Sequence, residues 1–314
     1  MTTLAKSRPG QGYPLTGPAI YALAYLLSLV ALSLQPGFTL VEPLFALAVL
    51  GVAFPLLAIV LTRKVRVDRF ARSISMMEVR WVLAYLVVFA IAVLGFGFSA
   101  INSQWPTDPV QTLVKLAAKL LTMVVLPVVI LATFQHPWKV TLAPGWRWSR
   151  HGRALVGVGL AMLVFQAVFG RGLHTLGELH PSALTLVWAV PLCFLLQTIE
   201  AGLCEEVLFR VFLQTRIAVW LKSEVAAVSI GALLFGLAHA PGLYLRGASL
   251  MEGAGAHPTL LWSVAYSVAM ISPAGLLFGV IWSRTRSLAL VVVLHGLTDT
   301  LPGIAPFIGL WTGG

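Results

Sequence analysis

Charge is what this chain has least of. Asp, Glu, Lys and Arg make up 10% of its 314 residues, where a soluble domain carries about 25%. Hydrophobic residues make up 59%, and the mean hydropathy is +0.91, so a soluble globular domain is excluded. Cysteine is nearly absent as well. Cys193 and Cys204 stand eleven residues apart in one apolar run, ~16 Å along a helix at about 1.5 Å per residue. That separation excludes a disulfide between them, and neither has the company of a thiolate metal site. The chain has no Gly-rich phosphate loop, no G-x-S-x-G elbow and no H-E-x-x-H zinc helix, which removes the commonest nucleotide, serine-hydrolase and zinc-peptidase chemistries. No repeat of 20 to 50 residues is present. Residues 1–17 have no long apolar core followed by a small-residue cleavage site, so no removed signal peptide is expected. The net charge of +10 is not read as nucleic-acid binding, because Lys and Arg of a membrane protein collect in its short cytoplasmic loops.

What is present is a series of apolar runs of ~20 residues, each long enough to cross a bilayer as a helix. They fall at 18–35, 41–62, 80–101, 111–134, 153–170, 183–203, 225–241, 259–283 and 287–302, the fifth and ninth being short. The fold class is therefore all-α, a polytopic helical membrane protein with about 8–9 transmembrane helices. Basic residues cluster in every second loop: Lys6 and Arg8; the 63–72 segment; Lys139 to Arg153; Arg210, Arg216 and Lys222; Arg284 and Arg286. By the positive-inside rule the N-terminus is cytoplasmic and, with nine spans, the C-terminus lies on the far side. Ionisable groups inside the spans concentrate after residue 182. This divides the chain into scaffold helices at 1–182, a working core at 183–302 and a tail at 303–314.

An ionisable side chain in the hydrocarbon core is costly, so each one there needs a partner or a purpose. Glu206 and Arg210 stand at i and i+4, the spacing of an ion pair on a helix, while Glu205 is turned about 100° away. Phe235 precedes His239 by one turn on the next span. His295 and Asp299 repeat the i, i+4 spacing on the last, where the carboxylate can orient the ring or share an ion with it. If the chain reverses near Lys222, Glu205 and His239 are each seventeen residues from the turn and stand at matching depth, ~25 Å along their helices. A carboxylate beside a histidine can deprotonate a water, and a second histidine can donate to an oxyanion. Peptide hydrolysis fits that inventory. A structural ion-pair network, or for His239 a satisfied core histidine, is the bland alternative. Glu200 is read as a possible lining residue of the same cavity. His136, His151, His174, His180 and His257 fall in loops or at interfaces and receive no chemistry.

Taken together, Glu205-Glu206-x-x-x-Arg210, Phe235-x-x-x-His239 and His295-x-x-x-Asp299, in this order on successive helices, resemble the E-E-x-x-x-R, F-x-x-x-H and H-x-x-x-N/D motifs of the CAAX prenyl protease and bacteriocin-processing (CPBP, or Abi) family of intramembrane proteases. Gly275 to Gly279 and Ser287-Leu288 resemble its looser third motif region. The resemblance covers about 183–302. It implies an intramembrane endopeptidase in which Glu205 with His239 activates water, Glu206 and Arg210 support that geometry, with Phe235 beside them, and His295 with Asp299 stabilises the oxyanion. Asp299 departs from the Asn of the prenyl-protein enzymes. An ionised Asp cannot donate, so either it is protonated or it orients His295. No cofactor is expected, with a divalent metal such as zinc as the alternative; the metal-free glutamate mechanism is favoured because no H-x-x-x-H pair preforms a zinc site. The implied partners are the lipid bilayer and a membrane-associated protein or peptide substrate carrying a CAAX-type tail or a sorting signal. The implied location is a bacterial cytoplasmic membrane. A proton-coupled transporter using the same acids and histidines as a relay, and a non-catalytic immunity or assembly factor on the same fold, are the competing readings.

Overall fold

The computed structural model describes residues 15–35, 37–65, 74–134, 147–246 and 258–312. Among them there is no strand, and nine helices are long and apolar enough to cross a membrane. They are α1 (Thr16–Ser33), α2 (Val41–Leu61), α3 (Met76–Gln104), α4 (Pro109–Thr133), α5 (Trp148–Phe169), α6 (Ala183–Trp220), α7 (Glu224–Leu245), α8 (Leu260–Thr285) and α9 (Leu288–Thr312). A short helix, Gly172–Leu179, joins α5 to α6. The chain is an integral membrane protein of the all-α class.

The helix ends follow ordinary capping chemistry. Ser75, Asp108, Ser182, Ser223 and Thr259 each accept a hydrogen bond from the backbone N–H three residues on, which satisfies a donor that the helix itself cannot. The α6–α7 hairpin turns at Lys222, the residue with φ +52°, where the sequence places it.

Two spans, α6 and α9, run furthest past the ends that the hydropathy runs indicate. α6 has 38 residues, ~57 Å at 1.5 Å per residue, against a hydrocarbon core of ~30 Å. Arg210 and Arg216 therefore lie within the helix and are buried, and do not belong to a cytoplasmic loop as the count of basic residues supposed. Two stretches of α6, Thr198–Leu203 and Val207–Gln214, are π-helical, a local widening that recurs at functional sites. Side chains serve carbonyls there: the Thr215 hydroxyl donates to the Arg210 carbonyl at 2.9 Å and the Arg216 guanidinium to that of Val211. α9 continues through Pro302 and Pro306 to Thr312, so residues 303–312 extend the last helix. Pro302 has no N–H for the Thr298 carbonyl; the Gln166 amide of α5 donates to that carbonyl instead, as membrane-buried backbone requires.

α6 and α9 pack together over much of their length, as do α7 and α8. The first pair meets through glycine on both sides. A β-carbon on Gly202 would lie 2.5 Å from the Val292 carbonyl oxygen, and one on Gly296 would lie 2.8 Å from Thr198 Cα. Bilayer lipid gives no hydrophobic force between helices, so close approach of small residues supplies the attraction. It also sets the spacing of the acidic pair on α6 from His295. α3 is tied to α6 by a buried ion pair, Arg216 Nε to Glu78 Oε1 at 2.9 Å.

Gly296→Val should therefore lower the thermal midpoint in detergent, with a cost on the order of 1–3 kcal/mol from overpacking. Gly177→Ala, where a β-carbon meets nothing within 4 Å, should leave it within a degree or two of the parent; equal midpoints for the two variants would refute the close-contact account.

Candidate active site

Glu206 is the centre of the polar group. It is fully buried on α6; its Oε2 accepts from Arg210 Nε at 2.9 Å and its Oε1 lies 2.8 Å from His295 Nδ1. The far side of the His295 ring faces two more carboxylates, with Nε2 3.5 Å from Asp299 Oδ2 and 3.8 Å from Glu205 Oε2. Because Glu206 accepts from Nδ1, the nitrogen that faces Glu205 and Asp299 is Nε2. The close partner of His295 is thus Glu206, from another helix. Asp299, one turn away on the same helix, sits at the looser distance.

Aromatic rings hold this group in place. Phe278 of α8 stacks on His295 with ring centroids 4.6 Å apart and 11° between planes. Phe235 of α7 lies 5.1 Å from the His239 ring, 6.0 Å from the His295 ring and 5.3 Å from Phe209. The Arg210 guanidinium lies over the same Phe235 ring at 5.1 Å, a cation–π contact strengthened where water is excluded. Phe235 contacts three of the polar side chains at once, His239, His295 and Arg210, which gives the aromatic of the second motif a structural reason.

His239 is positioned by a break in α7. Its backbone N–H bonds to Gly236 rather than to Phe235, which leaves the Phe235 carbonyl without the donor that a continuous helix would provide. The His239 ring supplies it, Nδ1 to the Phe235 carbonyl oxygen at 2.9 Å. A carbonyl only accepts, so Nδ1 carries hydrogen and the neutral ring keeps its Nε2 lone pair.

Glu205 and His239 line one cavity of about 190 Å³. Its wall also includes Glu200 and Phe209 of α6, Phe98, Ser99 and Asn102 of α3, Lys115 and Lys119 of α4, and Gly242 and Leu245 of α7. Lys119 Nζ lies 3.2 Å from Glu200 Oε1. Neither lysine features in the motif reading, although both interrupt an apolar span at i, i+4 and are open to the argument that singles out the glutamates. The structure thus brings together all seven sequence-derived residues, Glu205, Glu206, Arg210, Phe235, His239, His295 and Asp299, and adds Lys119, Glu200 and Phe278.

Among the described residues no three His, Cys, Asp or Glu side chains converge in a metal-holding arrangement. Nδ1 of His295 is engaged by Glu206 and Nδ1 of His239 by a carbonyl, which leaves Nε2 of each ring for other partners. Of the remaining histidines, His151 is buried at the start of α5, where its Nδ1 accepts from the Arg147 N–H. His174 pairs with Glu178 at 3.5 Å and His180 ends the short helix at φ +45°. His136 and His257 lie outside the described residues.

Removing Arg210 leaves Glu206 with a buried charge and one partner fewer, a loss on the order of 3–5 kcal/mol for a fully buried pair. Arg210→Ala should reduce the yield of folded protein on size exclusion in detergent, and Arg210→Lys should restore part of it. A fully folded Arg210→Ala variant would show that the pair does not hold the site.

The family comparison bears on this same region. Residues 186–301 match the family model described as type II CAAX prenyl endopeptidase, Rce1-like. Searches among curated proteins and among solved structures found no match. The matched segment runs from α6 to α9 and contains every motif residue of the site, while α1 to α5, including Lys115, Lys119 and Glu78, lie outside it. Residues 186–301 are thus similar to the Rce1-like CAAX endopeptidases of the CPBP family, a likeness that supports, at the level of family, an intramembrane protease of the CAAX type.

Proposed function

We propose that the protein hydrolyses a peptide bond in a membrane-associated substrate by a glutamate-activated water, without a metal. The observation that carries this reading is the placement of Glu205 and His239 on one cavity with His295 Nε2 3.8 Å from Glu205 Oε2. In this mechanism Glu205 takes a proton from water while His239 Nε2 accepts the other hydrogen bond and orients the lone pair. The resulting hydroxide attacks the scissile carbonyl carbon. His295 Nε2 donates to the oxyanion; with Nδ1 already given to Glu206, that requires the imidazolium form, whose charge the surrounding carboxylates offset. Collapse of the tetrahedral intermediate breaks the C–N bond, and Glu205 returns its proton to the leaving amine.

Each remaining residue has a part in that scheme. Glu206 and Arg210 hold the His295 ring, Phe235 packs His239 and Arg210 into register, and Asp299 faces Nε2 from one turn further along α9. The core at 183–302 carries the chemistry; the scaffold at 1–182 contributes Lys115 and Lys119 to the cavity wall. The distribution of basic loops supports an N-terminus in the cytoplasm, and we place the protein in a bacterial cytoplasmic membrane. A proton-coupled carrier would leave every candidate peptide intact, and so would a non-catalytic assembly factor, so cleavage by purified protein separates these readings.

Glu205→Gln should abolish cleavage while insertion and yield stay at parental levels, because the amide keeps the volume and removes the base. Parental activity in that variant would remove Glu205 from the role.

Position 299 separates the two mechanisms. In the metal-free scheme Asp299→Asn keeps substantial activity, since Asn is of similar size and supplies a donor, and exhaustive chelation leaves the parent active. Chelator-sensitive parent activity, with an Asp299→Asn defect rescued by zinc or cobalt, would establish the metal-dependent mechanism in its place.

A further inference from the structure

The cavity has a direction. On α6 its wall extends from Glu205 and Phe209 towards the Ala183 end, through Glu200. On α7 it extends from His239 towards Leu245, on α3 towards Asn102 near the Gln104 end, and on α4 it includes Lys115 near the Pro109 end. All four ends lie on one face of the membrane domain. Exposure of the polar side chains follows the same direction: 0% for Glu206 and Arg210, 6% for His295 and 12% for Glu205, then 21% for Lys119, 22% for Glu200 and 35% for Asp299.

Towards the other face the site is closed. Every residue of Val207–Gln214 is buried. Below them polar clamps join the helices: Arg216 with Glu78, Arg286 with Glu224, the Trp282 indole N–H to the Thr215 hydroxyl at 3.1 Å, the Gln214 amide to the Gly279 carbonyl at 2.9 Å, and Arg284 Nε to the Thr62 hydroxyl at 2.7 Å. In the sequence, the loops that join helices at this closed face hold most of the loop Lys and Arg, whereas the loops at the open face hold Arg171 and Arg246, with Lys115 and Lys119 inside α4 on that side. By the positive-inside rule the closed face is cytoplasmic.

We infer that the catalytic cavity is entered from the non-cytoplasmic face, so its substrate is a membrane-tethered segment of an exported polypeptide presented on that face, and a lipidated cytoplasmic tail is not. The direction of entry rests on the cavity and the loop charges; the substrate class rests in addition on the proteolytic function proposed above. Lys115 and Lys119 on one wall and Glu200 on another give the entrance charges of both signs. This suits a peptide backbone with polar side chains better than a lipid chain, which gains nothing from desolvating them.

The two parts are tested separately. Ser99→Cys and Asn102→Cys place thiols on the cavity wall, and Ser283→Cys places one near the closed face, where Ser283 lines a cleft with Glu224 and Arg284. A membrane-impermeant maleimide is applied to right-side-out and to inverted vesicles of the expression host, with the parent, whose Cys193 and Cys204 are buried, as the blank. Labelling of the 99 and 102 variants from outside and of the 283 variant from inside upholds the inference; labelling of the cavity variants only in inverted vesicles overturns it. For the substrate class, one reporter sequence is fused to either side of a single-span anchor and co-expressed with the protein. Cleavage confined to the non-cytoplasmic fusion supports the assignment, and cleavage confined to the cytoplasmic fusion overturns it. Outside labelling with neither fusion cleaved would uphold the direction of entry and count against proteolysis.

Discussion

Everything at the candidate active site depends on the carboxylate of Glu206. It accepts from Arg210 on its own helix and engages His295 from another, at full burial. An unpaired carboxylate at this depth would cost several kcal/mol, and an unpaired guanidinium is no cheaper, so each charge is tolerable only because the other is there. The same carboxylate fixes which face of the His295 ring is turned to Glu205. One residue thus sets both the charge balance of the interior and the orientation of the ring assigned to the oxyanion. It does so from a position that has no access to the cavity, which explains why two adjacent glutamates have different work: Glu206 faces the packed interior and Glu205 the open space.

The pairing in turn requires α6 and α9 to approach more closely than ordinary side chains allow. Gly202 and Gly296 provide that approach from opposite helices, and the π-helical stretches on either side of Cys204–Glu206 shift the residues that follow around the helix axis. Neither device adds chemistry. Each converts helix geometry into the distances between Glu206, Glu205 and His295, and a change of a few tenths of an ångström at the glycines would be transmitted to those distances. The Glu78–Arg216 pair extends the same logic to α3, anchoring a helix outside the family-matched segment to the helix that bears the glutamates.

The spans and the motif residues were legible in the sequence for one reason: apolar runs make any ionisable residue within them conspicuous. The depth match of Glu205 and His239 followed from counting along a helical hairpin. Helix length was less legible. α6 continues past the apolar run because Arg210 and Arg216 are neutralised by Glu206 and Glu78, and a hydropathy window cannot see a partner 138 residues away. α9 continues past Pro302 because Gln166 of α5 serves the orphaned Thr298 carbonyl, again a tertiary rescue of a local break. The pairing of His295 with Glu206 was hidden by the i, i+4 spacing to Asp299, which offered a nearer carboxylate in sequence than the one nearest in space. Lys119 could have been found, since a cation in the middle of α4 obeys the same rule as the glutamates.

The scaffold helices shape access more than chemistry. All the motif residues lie on α6 to α9, yet α3 and α4 supply much of the cavity wall. A catalytic group placed deep in a membrane needs two things beyond its own geometry: a wet path to one face, and a barrier towards the other that keeps the bilayer from leaking. Here the path is lined by Lys115, Lys119 and Glu200, whose charges can be hydrated, and the barrier is built from buried apolar residues of α6 reinforced by paired charges. Because those helices lie outside the segment that matches the family, the chemistry and the direction of access can vary separately. The same Glu205–His239–His295 arrangement, enclosed by different scaffold helices, could serve a substrate arriving from the opposite face.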